Sequence, residues 1–517
     1  MSALPAWLEP LTDAEEQRAI DAWAIETAGV PSLELMERAG AGLAALVEER
    51  APRGRVVVLC GRGNNGGDGL VAARLLRVRE RDVDVLALGP VEELGGEVRT
   101  NLERLPGAPP RPFHADVLAD ASAVVDAMLG TGFSGAPRAP VLEAIAAVNA
   151  LAERGDVAVI AADVPSGVDA SSGEVSGEAV RAAATATFHA AKPGLWIAPG
   201  KSHAGSVRVI EIGIPPGAPP VPRVGLIGRR VLGEVPRRAA ASTKFAAGAL
   251  LVCGGSTGLT GAPCLAAESA MRAGAGYVTA CVPASLNPVF EMRLLEVMSV
   301  PLADEGGTLA PGAVEPVLER AERVQALILG PGLGRADGAL TFARELASRA
   351  PVPVLLDADG LNAHAGRLQS LAGREAPTVL TPHSGELGRL LEIPSEQVEH
   401  RRLAHVREAA ARAGAVVVLK GDDTLVADPE GRVAVSRGGS PALATAGTGD
   451  VLSGVIGAFL AKGLDAFTAA SAGVLVHAGA GRLAAGATGP EGVIASDVIA
   501  ALPRALADRC GDSEATI

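Results

Sequence analysis

Val56-Val57-Val58-Leu59-Cys60-Gly61-Arg62-Gly63-Asn64-Asn65-Gly66-Gly67-Asp68-Gly69 starts with five apolar residues, turns through a glycine-rich loop and runs into a helix-like segment, Leu70 to Arg79. A short apolar run rich in β-branched residues is the mark of a strand buried on both faces, as in a parallel sheet. Strand, glycine loop, helix is also the local order that aims backbone N–H groups at a phosphate or another anion. The loop departs from a plain dinucleotide fingerprint, because it holds two amides and the carboxylate of Asp68. A negative charge in such a loop points to chemistry or an ion as well as to binding.

The same pattern recurs along the chain. In the first half, helix-like segments at about 12–28 and 32–51 precede apolar strand candidates at 55–60, 83–88, 122–126, 157–162, 184–189 and 206–212. In the second half the candidates are 249–253, 277–282, 325–329, 353–357, 377–380 and 415–419. A hairpin comes next, 424–428 and 432–436, turned by Asp428-Pro429-Glu430-Gly431. Strands alternating with helices predict an α/β protein of two doubly wound α/β/α domains. The proline-dense run Ile214-Pro215-Pro216-Gly217-Ala218-Pro219-Pro220-Val221-Pro222 is the seam, with a linker near 215–225. It divides the chain into domains at 1–220 and 225–517.

Composition narrows the function. The chain has 517 residues, enough for two or three domains and several sizeable cores, and aromatics make up only 2%, so those cores rest on Ala, Val, Leu and Ile. Net charge is −13 and no long basic run occurs, which argues against nucleic acid as a partner. Residues 1–13 lack a signal-peptide pattern, and the uncharged window 245–267 is broken by glycines and a proline, so no membrane span is expected. The five cysteines (Cys60, Cys253, Cys264, Cys281, Cys510) form no close pair in sequence and support neither zinc nor a disulfide framework. A reduced, cytoplasmic setting is the simplest expectation.

Ligands of doubly wound sheets bind beyond the carboxyl ends of the strands, so the residues just behind each strand carry the information. Behind 122–126 comes Asp126-Ala127-Met128-Leu129-Gly130-Thr131-Gly132-Phe133-Ser134-Gly135, and behind 157–162 comes Asp163-Val164-Pro165-Ser166-Gly167-Val168-Asp169. Three strand ends thus present Asn65 with Asp68, Asp126, and Asp163 with Ser166. One such carboxylate alone is most simply a helix cap. Three at strand ends beside two glycine loops point to an oxygen-rich cation site and a proton shuttle.

In the second half, Ala444-Thr445-Ala446-Gly447-Thr448-Gly449-Asp450-Val451-Leu452-Ser453-Gly454 leads into an apolar helix at about 451–461. Gly447 and Gly449 let amides converge on an anion hole for a phosphoryl group in transfer. Asp450 beside it is placed as the base that deprotonates an attacking hydroxyl, and a simple helix cap is the alternative. Lys420 offers charge for nucleotide phosphates, or is a solvated strand-end lysine. His383 is evenly balanced between a structural and a ligand-contacting role.

The first half resembles the N-terminal domain of the bacterial bifunctional NAD(P)H-hydrate repair family. The resemblance rests on Asn-Asn-Gly-Gly-Asp-Gly at 64–69, Gly-Thr-Gly-Phe-Ser-Gly at 130–135, Asp-Val-Pro-Ser-Gly-Val-Asp at 163–169, Pro31-Ser32 with Leu35-Met36-Glu37-Arg38-Ala39-Gly40, and Lys192-Pro193-Gly194. It implies a Rossmann-like fold and epimerisation of the R and S forms of NADHX and NADPHX, in which water has added to the nicotinamide ring. It places Asn64, Asn65, Gly66, Gly67 and Asp68, with Gly130, Thr131, Gly132, Phe133, Ser134, Gly135 and Ala136, along the hydrated dinucleotide. It also gives Asn65, Asp126 and Ser166 a potassium ion, and sets Asp163 against the ligand as the acid/base group.

The second half resembles the ribokinase-like fold and, within it, the ADP-dependent NAD(P)H-hydrate dehydratases. The carrying segments are Gly254-Gly255-Ser256 with Gly261-Ala262, Leu329-Gly330-Pro331-Gly332-Leu333-Gly334, Leu356-Asp357-Ala358-Asp359-Gly360-Leu361-Asn362, Thr381-Pro382-His383-Ser384-Gly385-Glu386 and Leu419-Lys420-Gly421-Asp422-Asp423-Thr424. Phe245 after Lys244 departs from the glycine usual in the family. The resemblance implies that Ala262, Gly334, His383 and Asp450 contact the S-hydrate, and that Lys420, Gly421, Asp422, Asp423, Thr424 and Gly449 contact the adenine nucleotide. It further implies dehydration of the S form while ADP becomes AMP and phosphate, Mg2+ as an accompanying ion, and a homo-oligomer. Two other functions fit parts of the pattern: a small-molecule kinase in the second half, and a non-catalytic binding module in the first.

Overall fold

The computed structural model describes residues 4–219 and 221–507. The described residues form two compact units, one built on residues 10–224 and one on residues 5–9 and 225–507.

The first unit holds a seven-stranded sheet in the order Arg111–Pro112, Val83–Ala87, Val56–Cys60, Ala123–Ala127, Ala158–Ala162, Ala184–Phe188, Ser206–Ile210. Neighbouring strands are parallel throughout. Alternation along Val56–Cys60 explains the double winding. Val56, Val58 and Cys60 enter one apolar cluster, with Leu43, Val47 and Leu70, while Val57 and Leu59 enter another, with Leu86, Ile145 and Val148. Burial on both faces is why these strands read as unbroken apolar runs. The chain leaves Val56–Cys60 for Val83–Ala87 on one side and returns to Ala123–Ala127 on the other, so the topological switch lies between Val56–Cys60 and Ala123–Ala127.

The second unit holds an eleven-stranded sheet. Its order is Leu8–Leu11, Val224–Ile227, Val433–Val435, Leu425–Ala427, Val416–Leu419, Thr378–Leu380, Val354–Leu356, Ala326–Leu329, Ala249–Cys253, Tyr277–Pro283, Met298–Leu302. From Val416–Leu419 to Met298–Leu302 the strands are parallel. The hairpin strands join antiparallel. The switch point lies between Ala249–Cys253 and Ala326–Leu329. Two loops meet there closely: a Cβ at Gly254 would lie 2.1 Å from the Pro331 carbonyl oxygen, and Ser256 Oγ donates to Gly332 O at 2.9 Å.

Three local expectations need correction. The helix after the glycine loop spans Asn64–Val78, so Asn64 to Gly69 are its opening turns and not a loop before Leu70. Glycine there serves close packing, since a Cβ at Gly66 would meet Gly61 O at 2.1 Å and one at Gly67 would meet Met36 Sδ at 2.6 Å. The proline-rich seam also ends in a strand, Val224–Ile227, whose four residues are all buried. Finally, the strand Leu8–Leu11 is buried only at its ends, and its Glu9 and Pro10 mask it in the sequence.

No helix among the described residues is long and apolar enough to cross a membrane. Cys253 and Cys281, far apart in sequence, are register partners on adjacent strands, and both are buried free thiols. Cys510 lies outside the described residues.

Candidate active sites

In the first unit, the strand-end loops flanking the switch point pack against each other. A Cβ at Gly61 would lie 1.9 Å from the Met128 carbonyl oxygen. Asn65, in the first turn of its helix, donates through Nδ2 to Leu129 O at 2.8 Å. Ser166 Oγ lies 2.9 Å from the Leu129 amide nitrogen, which donates to it. Ser166 in turn donates to Asp126, from Oγ to Oδ1 at 2.6 Å and from its amide to Oδ2 at 2.8 Å. Asn65, Ser166 and Asp126 are thereby linked around the backbone of Leu129. Asp126 is fully buried, and no cationic side chain among the described residues is bonded to it; burial pushes its carboxyl up to about 6 against these hydrogen bonds. Asn65 Oδ1 is buried without a hydrogen-bond partner. A buried anion linked to an unsatisfied amide oxygen is chemistry suited to a cation that takes oxygen ligands.

Asp163 occupies a left-handed backbone conformation, φ 63°, immediately behind the strand Ala158–Ala162. Its Oδ1 accepts from Lys192 Nζ at 2.6 Å, Thr187 Oγ1 at 3.2 Å and the Phe188 amide at 3.4 Å, and its Oδ2 accepts from Thr131 Oγ1 at 2.9 Å. Only 1% of the Lys192 side chain is exposed, and Nζ also donates to Thr187 Oγ1 at 3.0 Å and Phe188 O at 2.9 Å. Burial works to raise Asp163, yet the Lys192 ammonium, helped by Thr131 and the Phe188 amide, outweighs it and holds the carboxyl below its ordinary range. Asp68 goes the other way: burial, then the charges of Asp163 and Asp21, push it well above the ordinary carboxylate range, although Lys192 pulls it down. Asp126 and Asp163 make their hydrogen bonds within this cluster, and Asp68 lies inside its helix, whose N-terminus has no side-chain cap. Gly130 approaches Asn65, where a Cβ would lie 3.1 Å from Asn65 Cβ, while the Cβ positions of Gly132 and Gly135 face open space.

In the second unit, Lys420 lies just beyond the strand Val416–Leu419 and gathers carboxylates from three other segments. Its Nζ is 3.1 Å from Asp357 Oδ1 and 3.7 Å from Glu386 Oε2. Asp357 Oδ2 accepts from Ser453 Oγ at 2.7 Å. Burial works against the Lys420 charge, but Asp357, Glu386 and Asp450 outweigh it and raise its pKa, so it is not a solvated strand-end lysine. Asp450 belongs to the first turn of the helix Thr448–Ala461. Burial, then the charges of Asp357 and Glu386, push its carboxyl up to about 7 despite the pull of Lys420. A Cβ at Gly449 would stand 3.6 Å from Lys420 Nζ, so the bare helix N-terminus and the ammonium face each other. This pairing of amides and ammonium suits an anionic phosphoryl group.

The other residues expected around a nucleotide and substrate fall into distinct roles. His383 caps the helix Ser384–Leu391: its Nδ1 accepts from the Gly385 amide at 3.0 Å and the Glu386 amide at 3.4 Å. Its pKa is lowered, chiefly by burial, and because Nδ1 accepts, the proton of the neutral ring sits on Nε2, 3.6 Å from Glu386 Oε1. Asp423 is bound by Arg402 in a buried pair at 2.9 Å, Asp422 Oδ1 accepts from the Gly439 amide at 3.2 Å, and Thr424 Oγ1 donates to Gly421 O at 2.6 Å. These bonds fix the shape of the 420–424 loop. Gly334, φ 82°, donates its amide to Asp359 Oδ2 at 3.0 Å. Ala262 opens the helix Gly261–Arg272, which packs on Thr448–Ala461 so closely that a Cβ at Gly454 would lie 2.0 Å from Ser269 Oγ.

Sequence reasoning assigned no role to Lys192, Asp357, Glu386 or Ser453. Each stood within a quoted motif, but the bonds that matter span 29, 63 and 96 residues for Lys192–Asp163, Lys420–Asp357 and Ser453–Asp357. Among the described residues no group of three or more His, Cys, Asp and Glu side chains could hold a metal ion.

Two family models match the chain: YjeF-related protein N-terminus over residues 32–194, and NAD(P)H-hydrate dehydratase over residues 250–504. The bifunctional NAD(P)H-hydrate repair enzyme of Moorella thermoacetica is 38% identical over 517 residues, covering 96% of each chain. Its counterpart in Salinibacter ruber is 37% identical over 532 residues, covering 97% of each. Among solved structures, the ADP/ATP-dependent NAD(P)H-hydrate dehydratase of Bacillus subtilis, co-crystallised with ATP and Mg2+, is 30% identical with a TM-score of 0.47, and the match covers 54% of this chain and 96% of that one.

Proposed function

The chain belongs to the family of bifunctional NAD(P)H-hydrate repair enzymes, and from that premise we propose which residues carry each activity. The first unit epimerises NAD(P)HX and the second dehydrates the S form. The observation that supports this division is that each unit holds its own buried carboxylate in a different electrostatic setting. Asp163 is held low by Lys192, and Asp450 is raised to about 7.

In the epimerase unit, Asp163 is the acid/base group. An ionised carboxylate with a fixed ammonium partner accepts one proton as the C6 hydroxyl is deprotonated and gives one back after the ring has opened and reclosed. The opening turns of the helix at 64–68 and the loop at 130–136 hold the dinucleotide. Asn65, Asp126 and Ser166 fit a potassium ion, a reading supported by the orphaned Asn65 oxygen and the buried Asp126 carboxylate. When bound, the cation would supply positive charge beside the buried Asp126 carboxylate, and the proton steps are left to Asp163.

In the dehydratase unit, hydroxide is too poor a leaving group to depart unaided. Asp450, near neutral in pKa, removes the C6 hydroxyl proton as that oxygen attacks the β-phosphorus of ADP, releasing AMP. Lys420 and the Gly449 amide receive phosphate charge. The phosphate then leaves with the C–O electron pair, pushed by the N1 lone pair, and loss of a C5 proton completes the dihydronicotinamide. Asp357 and Ser453 orient Lys420. The carboxylates near it, Asp357 and Glu386, are engaged by the lysine, so no protein ligand set is assigned to Mg2+, and the nucleotide phosphates would bring it.

The test is recovery of NADH absorbance from separated R and S epimers with ADP. A chain that instead phosphorylates a small hydroxylated compound and leaves both epimers untouched would overturn the assignment in favour of a kinase.

A further inference from the structure

The two oxygens of Asp163 are not equivalent. Oδ1 takes three donors, from Lys192, Thr187 and Phe188, whereas Oδ2 takes one, from Thr131. A carboxylate oxygen with three donors has no capacity left for substrate, so proton exchange has to run through Oδ2. Lys192 Nζ is equally committed, its three protons directed at Asp163, Thr187 and the Phe188 carbonyl. The group on Oδ2 is the hydroxyl of a half-buried residue on the Gly130–Gly135 loop. The loop is tightened by the Phe133 amide donating to Gly130 O at 3.0 Å, and beside Thr131 the Gly132 Cβ position is open. Thr131 gives its single proton to Asp163 and keeps its acceptor lone pairs for whatever lies on the open side.

Resting on the epimerase reading of this unit, we propose that Thr131 is a catalytic proton relay, and that Asp163 acts on the substrate through the threonine hydroxyl and not by direct contact. The C6 hydroxyl gives its proton to Thr131 Oγ1 as Thr131 passes its own to Asp163 Oδ2. The freed O–H pair becomes the second bond of a C6 carbonyl, and the C6–N1 pair moves to N1, where the conjugated carboxamide spreads it. Rotation about C5–C6 presents the other carbonyl face. The N1 pair re-adds to C6, the carbonyl pair returns to oxygen, and that oxygen regains a proton from Thr131 as Asp163 returns the one it borrowed. Nothing is consumed, and Lys192 keeps Asp163 charged at the start of each cycle.

The experiment measures R-to-S interconversion by the full chain without ADP, for Thr131→Val, Thr131→Ser and the unaltered protein. We expect Thr131→Val, nearly the same shape without the hydroxyl, to lose about a hundredfold or more in kcat with KM changed less than about threefold. Thr131→Ser should restore most of the rate. Retention of kcat by Thr131→Val overturns the relay, as does a Thr131→Ser protein as inactive as the valine variant, or a loss confined to KM. In all three cases the epimerase reading stands. Absence of interconversion in the unaltered chain would instead remove the reading on which the relay rests.

Discussion

Lys192 Nζ lies 2.6 Å from Asp163 Oδ1 with 1% of the lysine side chain exposed, a buried ion pair at the carboxyl end of the sheet. Such a pair contributes little net stability by itself, but removing one partner leaves the other charge buried and alone. Its value lies in fixing the protonation state of Asp163 where burial alone would neutralise it.

Lys192→Met is therefore expected to raise the Asp163 pKa and to move the acid limb of epimerisation upward by roughly one to three pH units. The depressed carboxyl sets the sign of the stability change. The pair's contribution is present above the unfolded Asp pKa and is lost as pH falls through the lower folded value. The variant should lose about 3 kcal/mol at neutral pH, by denaturant titration. An unmoved acid limb would show that Lys192 does not set the Asp163 charge.

Asp126 carries the opposite sign. Its folded pKa of about 6 lies above the ordinary value, so ionising it destabilises the fold progressively from the unfolded pKa up to about 6, by about 3 kcal/mol in all. A cation at Asn65 and Ser166 would offset this. We expect the melting temperature near pH 8 to rise when K+ replaces tetramethylammonium, and the difference to shrink near pH 5, where Asp126 is protonated. Asp126→Asn should abolish the K+ effect. An equal effect in that variant would place the ion elsewhere.

Asp450 titrates at about 7, pushed there by burial and then by Asp357, with Lys420 opposing. The kcat/KM of dehydration should thus climb with pH through about 7. Asp357→Asn should move this limb to lower pH, since it removes a raising charge, and Lys420→Met should move it higher. Asp450→Asn should stop ADP-dependent recovery. A limb that ignores Asp357 and Lys420 would show that Asp450 is not the titrating base.

Two helix glycines separate packing from propensity. Gly454→Ala would place a methyl 2.0 Å from Ser269 Oγ and 2.2 Å from Ala266 O, and should cost about 1–3 kcal/mol or more. Gly486→Ala, on the exposed end of the helix Ala466–Thr488 with nothing within 4 Å, should stabilise by up to about 1 kcal/mol. Denaturation midpoints of the two variants decide it.

Much of this was legible in the chain because its strands are buried on both faces. Ala249–Cys253 and Val416–Leu419 announce themselves as apolar runs, and the loops at their carboxyl ends carry site residues. Leu8–Leu11 and Met298–Leu302 were not legible, since charge, proline and partial exposure break their pattern. Within the sites, Asp163 and Asp450 stand out at element ends. The burial of Lys192 does not, because a lysine reads as surface until its partners are known. Asp357 was visible as part of a motif, but its grip on Lys420 and Ser453 is created only by the sheet order.

In the proposed repair, Asp163 and Asp450 act in sequence, each in its own unit. The decisive measurement supplies pure R epimer, then pure S epimer, with ADP to Asp163→Ala and follows NADH recovery. We expect S to be recovered at close to the unaltered rate and R to stall. Recovery of R as fast as S in that variant would mean that Asp163 is not needed for epimerisation.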